Sequence, residues 1–244
     1  PGVTVCCGAD IVVLEHDGEQ WQARAADGRQ WQAPVVVVAN AHQAGQFSQL
    51  AHLPIKPIRG QVSHAPATEA SLALRAVVCG ESYISPARHG RHCFGATFRF
   101  QAEQLAVTVE EHQENLDKLA ALSPDVWRRL GGEALSAQAL DGRSGWRATT
   151  PDYLPLVGPV ADAAAFADAY PAPERCGPRQ PGPDAPWLPG LYVSLVHGSR
   201  GLVTAPLAGE LLAAMLNHEP APLPQPLLDA MHPNRFLWRA QKRR

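Results

Sequence analysis

Two segments of the chain carry residues whose types and spacing suit chemistry. The first follows a strand predicted over residues 191–196 and reads His197-Gly198-Ser199-Arg200-Gly201-Leu202-Val203, ahead of an apolar helix predicted over 206–216. A turn that leads into a helix leaves backbone N–H groups without partners, and the helix dipole adds positive potential at the same place. Residues 199–203 are therefore predicted to face an anionic or electron-rich ligand.

The second segment contains Arg147 and continues to Thr150, Asp152 and a turn over 155–158. A planar guanidinium holds a carboxylate through two parallel hydrogen bonds, so Arg147 is a candidate carboxylate anchor. An internal ion pair of Arg147 with Asp141 or Asp152 is the alternative. Tyr83 could donate a second hydrogen bond to the same ligand, although an aromatic residue on a sheet is also ordinary packing.

Other kinds of site find little support in the sequence. It contains no nucleophile elbow, phosphate-binding loop or zinc-protease motif, and it assigns no catalytic acid, base or nucleophile. Its ten histidines lack metal-ligand spacing, and its five cysteines are an odd number without a Cys-x-x-Cys pair, so neither a metal site nor a disulfide framework is predicted. A net charge of −2 shows no overall bias toward nucleic acid, and no apolar run is long enough to span a membrane. Free thiols fit a reducing cytoplasm.

The elements around these segments predict an α/β fold combined with an α+β module. Four consecutive valines in 35–39 are typical of a strand buried on both faces, and a strand is also predicted over 3–7. Between them and the Arg147 segment, antiparallel strands are predicted with turns at Gly60 and Gly80 and one helix over 109–122. The predicted domains are 1–50 and 147–235, which form a dinucleotide-binding domain with a Pro/Ala-rich loop at 161–189; 51–146, an antiparallel substrate domain; and 236–244, a basic tail.

The two segments together resemble the FAD-dependent amine oxidases of the D-amino-acid oxidase type, which include glycine and sarcosine oxidases. The resemblance rests on Arg147-x-x-Thr150-x-Asp152-x-x-Pro155-x-x-Gly158 and on His197-x-x-x-Gly201-x-x-x-x-Pro206. Further stretches are similar to the oxidoreductase part of the bacterial bifunctional enzymes of 5-methylaminomethyl-2-thiouridine biosynthesis. These stretches are 36–43, 60–64, 154–158, 198–202 and 233–235.

This resemblance implies FAD as the cofactor, tRNA as the partner, and oxidative removal of the carboxymethyl group from carboxymethylaminomethyl-uridine at the wobble position. It implies that Arg147 and Tyr83 bind the glycine-like unit of the base. It implies that the flavin lies against Ala39, Asn40, Ser199, Arg200, Gly201, Leu202 and Val203. A basic rim for tRNA is expected at Arg88, Arg91, Arg99, Arg235 and Arg239. The location expected is the cytoplasm, with no membrane or DNA partner.

The chain departs from this pattern in three ways. It has no G-x-G-x-x-G motif for the FAD pyrophosphate, so it is expected to begin inside the FAD-binding domain. It has no methyltransferase domain, which the family carries as a separate part. Ala41 stands where the resemblance leads us to expect glycine. Two alternatives stay open: an oxidase of a free small amino acid or amine, and a non-catalytic docking fragment.

Overall fold

The computed structural model describes residues 2–100, 103–170 and 185–241. The chain forms two compact units, one made of residues 1–56 and 148–244 and the other of residues 57–147. The strands are β1 Ile11–His16, β2 Trp21–Ala25, β3 Gln30–Ala33, β4 Val36–Val38, β5 Lys56–Pro66, β6 Val78–Cys79, β7 Tyr83–Ile84, β8 Arg91–Gly95, β9 Asp141–Thr149, β10 Leu156–Ala161 and β11 Trp187–Leu195. The helices are α1 Val109–Leu122, α2 Pro124–Arg129, α3 Ala163–Ala169, α4 Gly201–Leu216, α5 Gln225–Met231 and α6 Arg235–Gln241.

The first unit contains two three-stranded sheets. Strands β1, β2 and β3 form an antiparallel meander, and the second sheet has the order β10-β11-β4. In that second sheet β11 pairs antiparallel with β10 and parallel with β4. The buried indole of Trp21 donates from Nε1 to the carbonyl of Pro189 at 2.7 Å, which ties the meander to the second sheet. Helix α4 packs through Ala208 and Leu211 on this sheet, in a core cluster with Val157.

The second unit is a five-stranded sheet of order β6-β7-β8-β5-β9. Helix α1 packs on one face of it, since Leu116 and Leu119 share a buried cluster with Ile84 and Phe94. The helix begins at Thr108, whose side chain accepts a hydrogen bond from the N–H of Glu111, as expected of a threonine cap. Because side chains alternate along a strand, the neighbours Tyr83 and Cys93 lie on the opposite, open face.

Several local predictions change. The strand at 35–39 is shorter, and it is not buried on both faces, since Val37 is 40% exposed. Residues 3–7 form no strand. Gly60 lies inside β5 rather than in a turn.

The C-terminal part also differs from its prediction. Helix α4 begins at Gly201, with Pro206 inside it. Pro206 has no N–H to donate to the carbonyl of Leu202. The proline is tolerated because this carbonyl lies in the exposed first turn of the helix. The basic tail is helical as far as Gln241, since Trp238 packs edge-on against Phe166. Part of the predicted loop at 161–189 is α3 and β11, and its residues 171–184 are outside the described ranges.

Candidate active site

Arg147 lies on β9 with its guanidinium half-buried. The Cζ atom is 4.6 Å from the centre of the Phe98 ring, and Nη1 donates to the carbonyl of Thr97 at 3.5 Å. Burial lowers the pKa of Arg147, but the group stays a cation because an arginine starts from so high a value. A stacked guanidinium whose donors are mostly unused is a preformed anchor for a planar anion.

The alternative role of Arg147, an internal ion pair with Asp141 or Asp152, is wrong. Asp141 pairs with Arg91 at 2.7 Å, and Asp152 pairs with Arg235 at 3.0 Å and with Arg239. Within residues 2–100, 103–170 and 185–241, Arg147 forms no ion pair. Its positive charge is therefore available to a ligand.

Gly60 provides the space that the Arg147 side chain fills. A Cβ atom built at Gly60 would lie 1.7 Å from Nη1 of Arg147 and 2.6 Å from Cζ, far inside any contact distance. Gly60 is fully packed inside β5, so the guanidinium lies directly on the backbone of this strand. This role is not visible in the sequence, because the partner is 87 positions away in the chain.

Tyr83 belongs to the same face of the five-stranded sheet. Burial raises the pKa of its hydroxyl to about 12, against an opposing effect of Arg147. The phenol is therefore neutral and able to donate a hydrogen bond throughout the physiological range. Its oxygen lies 4.0 Å from Sγ of Cys93, and burial raises the pKa of that thiol as well, so Cys93 is a thiol rather than a thiolate.

The residues predicted to bind a flavin lie in the first unit, where two parallel strands end. Since β4 and β11 are parallel neighbours, Asn40 after β4 and Gly198 after β11 follow strand ends at the same edge of the sheet. The buried Oδ1 of Asn40 accepts no hydrogen bond from any described residue. Ala41, in the position expected for glycine, has a left-handed φ of 56°. An unused amide oxygen beside a strained turn is consistent with a ligand at this edge.

Residues 199–203 form the predicted turn and, because α4 begins earlier than predicted, also the first turn of that helix. The helix has no side-chain cap at its N-terminus, while Leu202 is 98% and Val203 76% exposed. One detail differs: the N–H of Arg200 donates to the carbonyl of His197 at 3.2 Å and is not free. Uncapped donors next to uncovered apolar side chains fit the isoalloxazine of FAD, which has a polar pyrimidine edge and an apolar ring system.

His197 connects the end of β11 to the start of α4, a role that sequence analysis missed. Its Nε2 is 3.2 Å from Oγ of Ser194, and its Nδ1 is 2.8 Å from Oγ1 of Thr204. Burial lowers the pKa of His197, so the imidazole is neutral and each ring nitrogen can serve one hydroxyl. These contacts hold the turn at 198–203 in place.

The predicted tRNA rim needs one correction. Arg235 is only 7% exposed and donates to Asp152 and to the carbonyl of Pro155 at 3.1 Å, so it cannot contact an external partner. Arg88 and Arg239 are both exposed, but Arg239 is paired with Asp152. Arg91 pairs with Asp141, and Arg99 pairs with Glu111 and Glu114.

Other classes of site are not seen in the described part of the chain. Among those residues, no three His, Cys, Asp or Glu side chains are grouped so as to hold a metal ion. None of the helices described there has the length and apolarity needed to cross a bilayer. Cys6, Cys7, Cys79 and Cys93 are free thiols, and Cys176 is outside the described residues.

Sequence comparisons place the chain among flavoproteins. A family model described as FAD dependent oxidoreductase matches residues 1–215. The chain is 50% identical to the tRNA 5-methylaminomethyl-2-thiouridine biosynthesis bifunctional protein of Pseudomonas putida (strain GB-1), over 98% of this chain and 36% of that protein. The protein of the same name from Pseudomonas aeruginosa (strain UCBPP-PA14) is 49% identical with the same coverage. The chain thus spans about a third of the length of these relatives.

Structural comparisons confirm the predicted fold. The iminodiacetate oxidase from Chelativorans sp. BNC1 superposes with a TM-score of 0.66 at 23% identity, covering 92% of this chain and 52% of that one. The glycine oxidase from Geobacillus kaustophilus also gives 0.66, at 21% identity, with 93% and 52% covered. The chain therefore has the fold of about half of each of these oxidases.

Proposed function

We propose that this chain, which belongs to the family of FAD-dependent oxidoreductases, acts on carboxymethylaminomethyl-uridine or its 2-thio form at the wobble position of tRNA. The reaction removes the carboxymethyl group and leaves aminomethyl-uridine. Half of the aligned residues are identical to a protein named for the biosynthesis of a 5-methylaminomethyl-2-thiouridine, which supports the nucleoside substrate. We further propose that the first unit binds FAD and that the second unit binds the substrate.

The observation that carries the proposal is the free charge of Arg147. The modified base ends in a glycine-like unit, whose carboxylate the guanidinium can hold through two hydrogen bonds. Tyr83 stays protonated and donates to the same carboxylate or to the amine. Together these residues orient the carbon–nitrogen bond that is oxidised, which is most of what a flavoenzyme must supply.

FAD, when bound, would accept a hydride from the methylene carbon of the carboxymethyl group while the amine loses a proton, and water would then cleave the resulting C=N bond to release glyoxylate. The backbone donors of Gly201, Leu202 and Val203 would hold the polar edge of the flavin ring, and Asn40 would accept a hydrogen bond from it. His197 keeps this turn in place through its two hydroxyl contacts. No residue of this chain supplies the glycine motif for the pyrophosphate.

One partner and one location follow as part of the proposal. The names of the relatives describe bifunctional proteins, and these proteins are almost three times as long as this chain. We therefore expect a methyltransferase domain to act with this chain on the same tRNA, taking the aminomethyl product as its substrate. Because tRNA is modified where it is used, we expect the cytoplasm as the location.

The test is the visible spectrum of the flavin-loaded protein mixed with tRNA that carries carboxymethylaminomethyl-uridine. We expect this tRNA to bleach the flavin band and to lose its carboxymethyl group. Arg147→Lys keeps the charge but lacks the two-pronged fork, so we expect kcat/KM to fall by about 10-fold or more. Bleaching by glycine or iminodiacetate but not by the tRNA would favour the oxidase of a free amine. Normal turnover by Arg147→Ala would remove the assigned carboxylate anchor.

A further inference from the structure

A second arginine lies on the same strand as Arg147 and on the same face. Arg143 precedes it by four positions on β9, and residues an even number apart on a strand point to one side. At ~3.3 Å per residue, the two Cα atoms are ~13 Å apart. Gly145 lies between them, and a Cβ atom built there would meet nothing within 4 Å. The open face therefore has two cations separated by bare backbone.

The charge of Arg143 is not balanced by the protein. Its side chain is exposed and forms no ion pair with any described residue, whereas the nearby Arg91 and Asp141 neutralise each other. Arg143 lies close enough to Tyr83 and Cys93 to lower the pKa of both groups, in opposition to the larger effect of burial. Arg143 therefore extends over the face that carries Tyr83, and not away from it.

Two separate cations fit a ligand with two separate anions. A free amino acid such as glycine has a single carboxylate, and Arg147 alone accounts for it. A modified nucleotide has a carboxylate at the end of its base substituent and phosphates on both sides of its ribose. Resting on the function proposed above, we infer that Arg143 binds a phosphate flanking the modified uridine and so selects a nucleotide substrate over a free amino acid.

The test compares Arg143→Ala with Arg24→Ala, an exposed arginine on β2 that forms no ion pair among the described residues. The probe is an RNA anticodon stem-loop that carries carboxymethylaminomethyl-uridine, and binding to the full chain is measured over a salt series. We expect Arg143→Ala to bind about 10-fold more weakly, the loss of one charged hydrogen bond. The slope of log K against log salt should shrink by about 0.7, one phosphate contact on a single strand. Arg24→Ala should match the unaltered chain.

Arg143→Lys gives a second readout. A lysine still neutralises a phosphate, so we expect it to restore the salt slope even where its affinity is lower. An unchanged slope and affinity in Arg143→Ala would overturn the inference, as would equal losses in Arg24→Ala.

An unmodified stem-loop separates this inference from the proposed function. If the unaltered chain binds both RNAs equally and Arg147→Ala changes nothing, the proposed function fails, whatever the salt slope of Arg143→Ala. If Arg147→Ala abolishes a preference for the modified RNA while Arg143→Ala leaves the slope unchanged, the function stands and the role of Arg143 is refuted.

Discussion

Replacing Gly60 by alanine should disable the carboxylate anchor without unfolding the protein. The added methyl would lie 1.7 Å from Nη1 of Arg147, so the guanidinium must retreat by about 1.7 Å to reach an ordinary contact near 3.4 Å. The atom in the way is the far end of a flexible side chain, which can move without displacing the sheet. Alanine also restricts the unfolded chain more than glycine does, which favours folding by about 0.5–1 kcal/mol.

The expected effect on catalysis is large. A misplacement of ~1 Å in a group that positions substrate costs on the order of 100-fold. We therefore expect kcat/KM for the modified tRNA to fall by about 100-fold or more in Gly60→Ala, with the midpoint of urea unfolding unchanged or raised. Gly209→Ala is the control, because its added methyl on α4 meets nothing within 4 Å.

The double variant tests the mechanism itself. In an Arg147→Ala background the methyl at position 60 has no guanidinium to displace, so it should cause no further loss of activity. The role of Gly60 in positioning Arg147 would be refuted if Gly60→Ala retained full kcat/KM. It would also be refuted if Gly60→Ala lowered kcat/KM by the same factor in the Arg147→Ala background.

Two further predictions concern stability. Burial alone would raise the pKa of Asp152, but hydrogen bonds from Arg235, Arg239 and Thr150 hold that pKa below the usual 3.8. The ionised carboxylate therefore stabilises the folded chain fully above pH 3.8, and this stabilisation is lost as the pH falls below 3.8. Asp152→Asn should lower the free energy of unfolding by about 2 kcal/mol at pH 7, and this variant should lose less stability on acidification than the unaltered chain. Asp125→Asn, which breaks only the exposed pairs with Arg128 and Arg129, should lower the free energy of unfolding by under ~1 kcal/mol. Urea unfolding at several pH values measures both variants, and equal costs would contradict the reasoning. Burial lowers the pKa of His232 from 6.5 to about 4, so the unfolded chain takes up the proton first and stability falls by about 3 kcal/mol as the pH drops between these values. His232→Gln should flatten that part of the pH–stability curve, and an unchanged curve would show that another group is responsible.

The sequence predicted the parts of the molecule that local patterns specify. The apolar spacing of α1 gave its bounds, and the chemistry of a guanidinium singled out Arg147. Features that depend on distant residues could not be read in this way. Gly60 resembles a turn glycine until Arg147 is seen lying on it, and Arg235 resembles an exposed residue of a tRNA rim until Asp152 is seen beside it. The valines of β4 match a strand buried on both faces, but Val37 is 40% exposed, because sequence does not say which layers cover a strand.

The ion pair of Asp152 with Arg235 also sets an order of events during synthesis. The two residues are 83 positions apart, so Asp152 leaves the ribosome well before its partner exists. At about 5–20 residues per second the interval is roughly 4–17 s. During that time the turn that follows Arg147 lacks the guanidinium that neutralises it, and the first unit cannot complete its packing until α6 has been made. The nascent chain is therefore exposed to chaperones and proteases in this interval, and a ribosome stalled upstream of residue 235 would leave the unit unfinished.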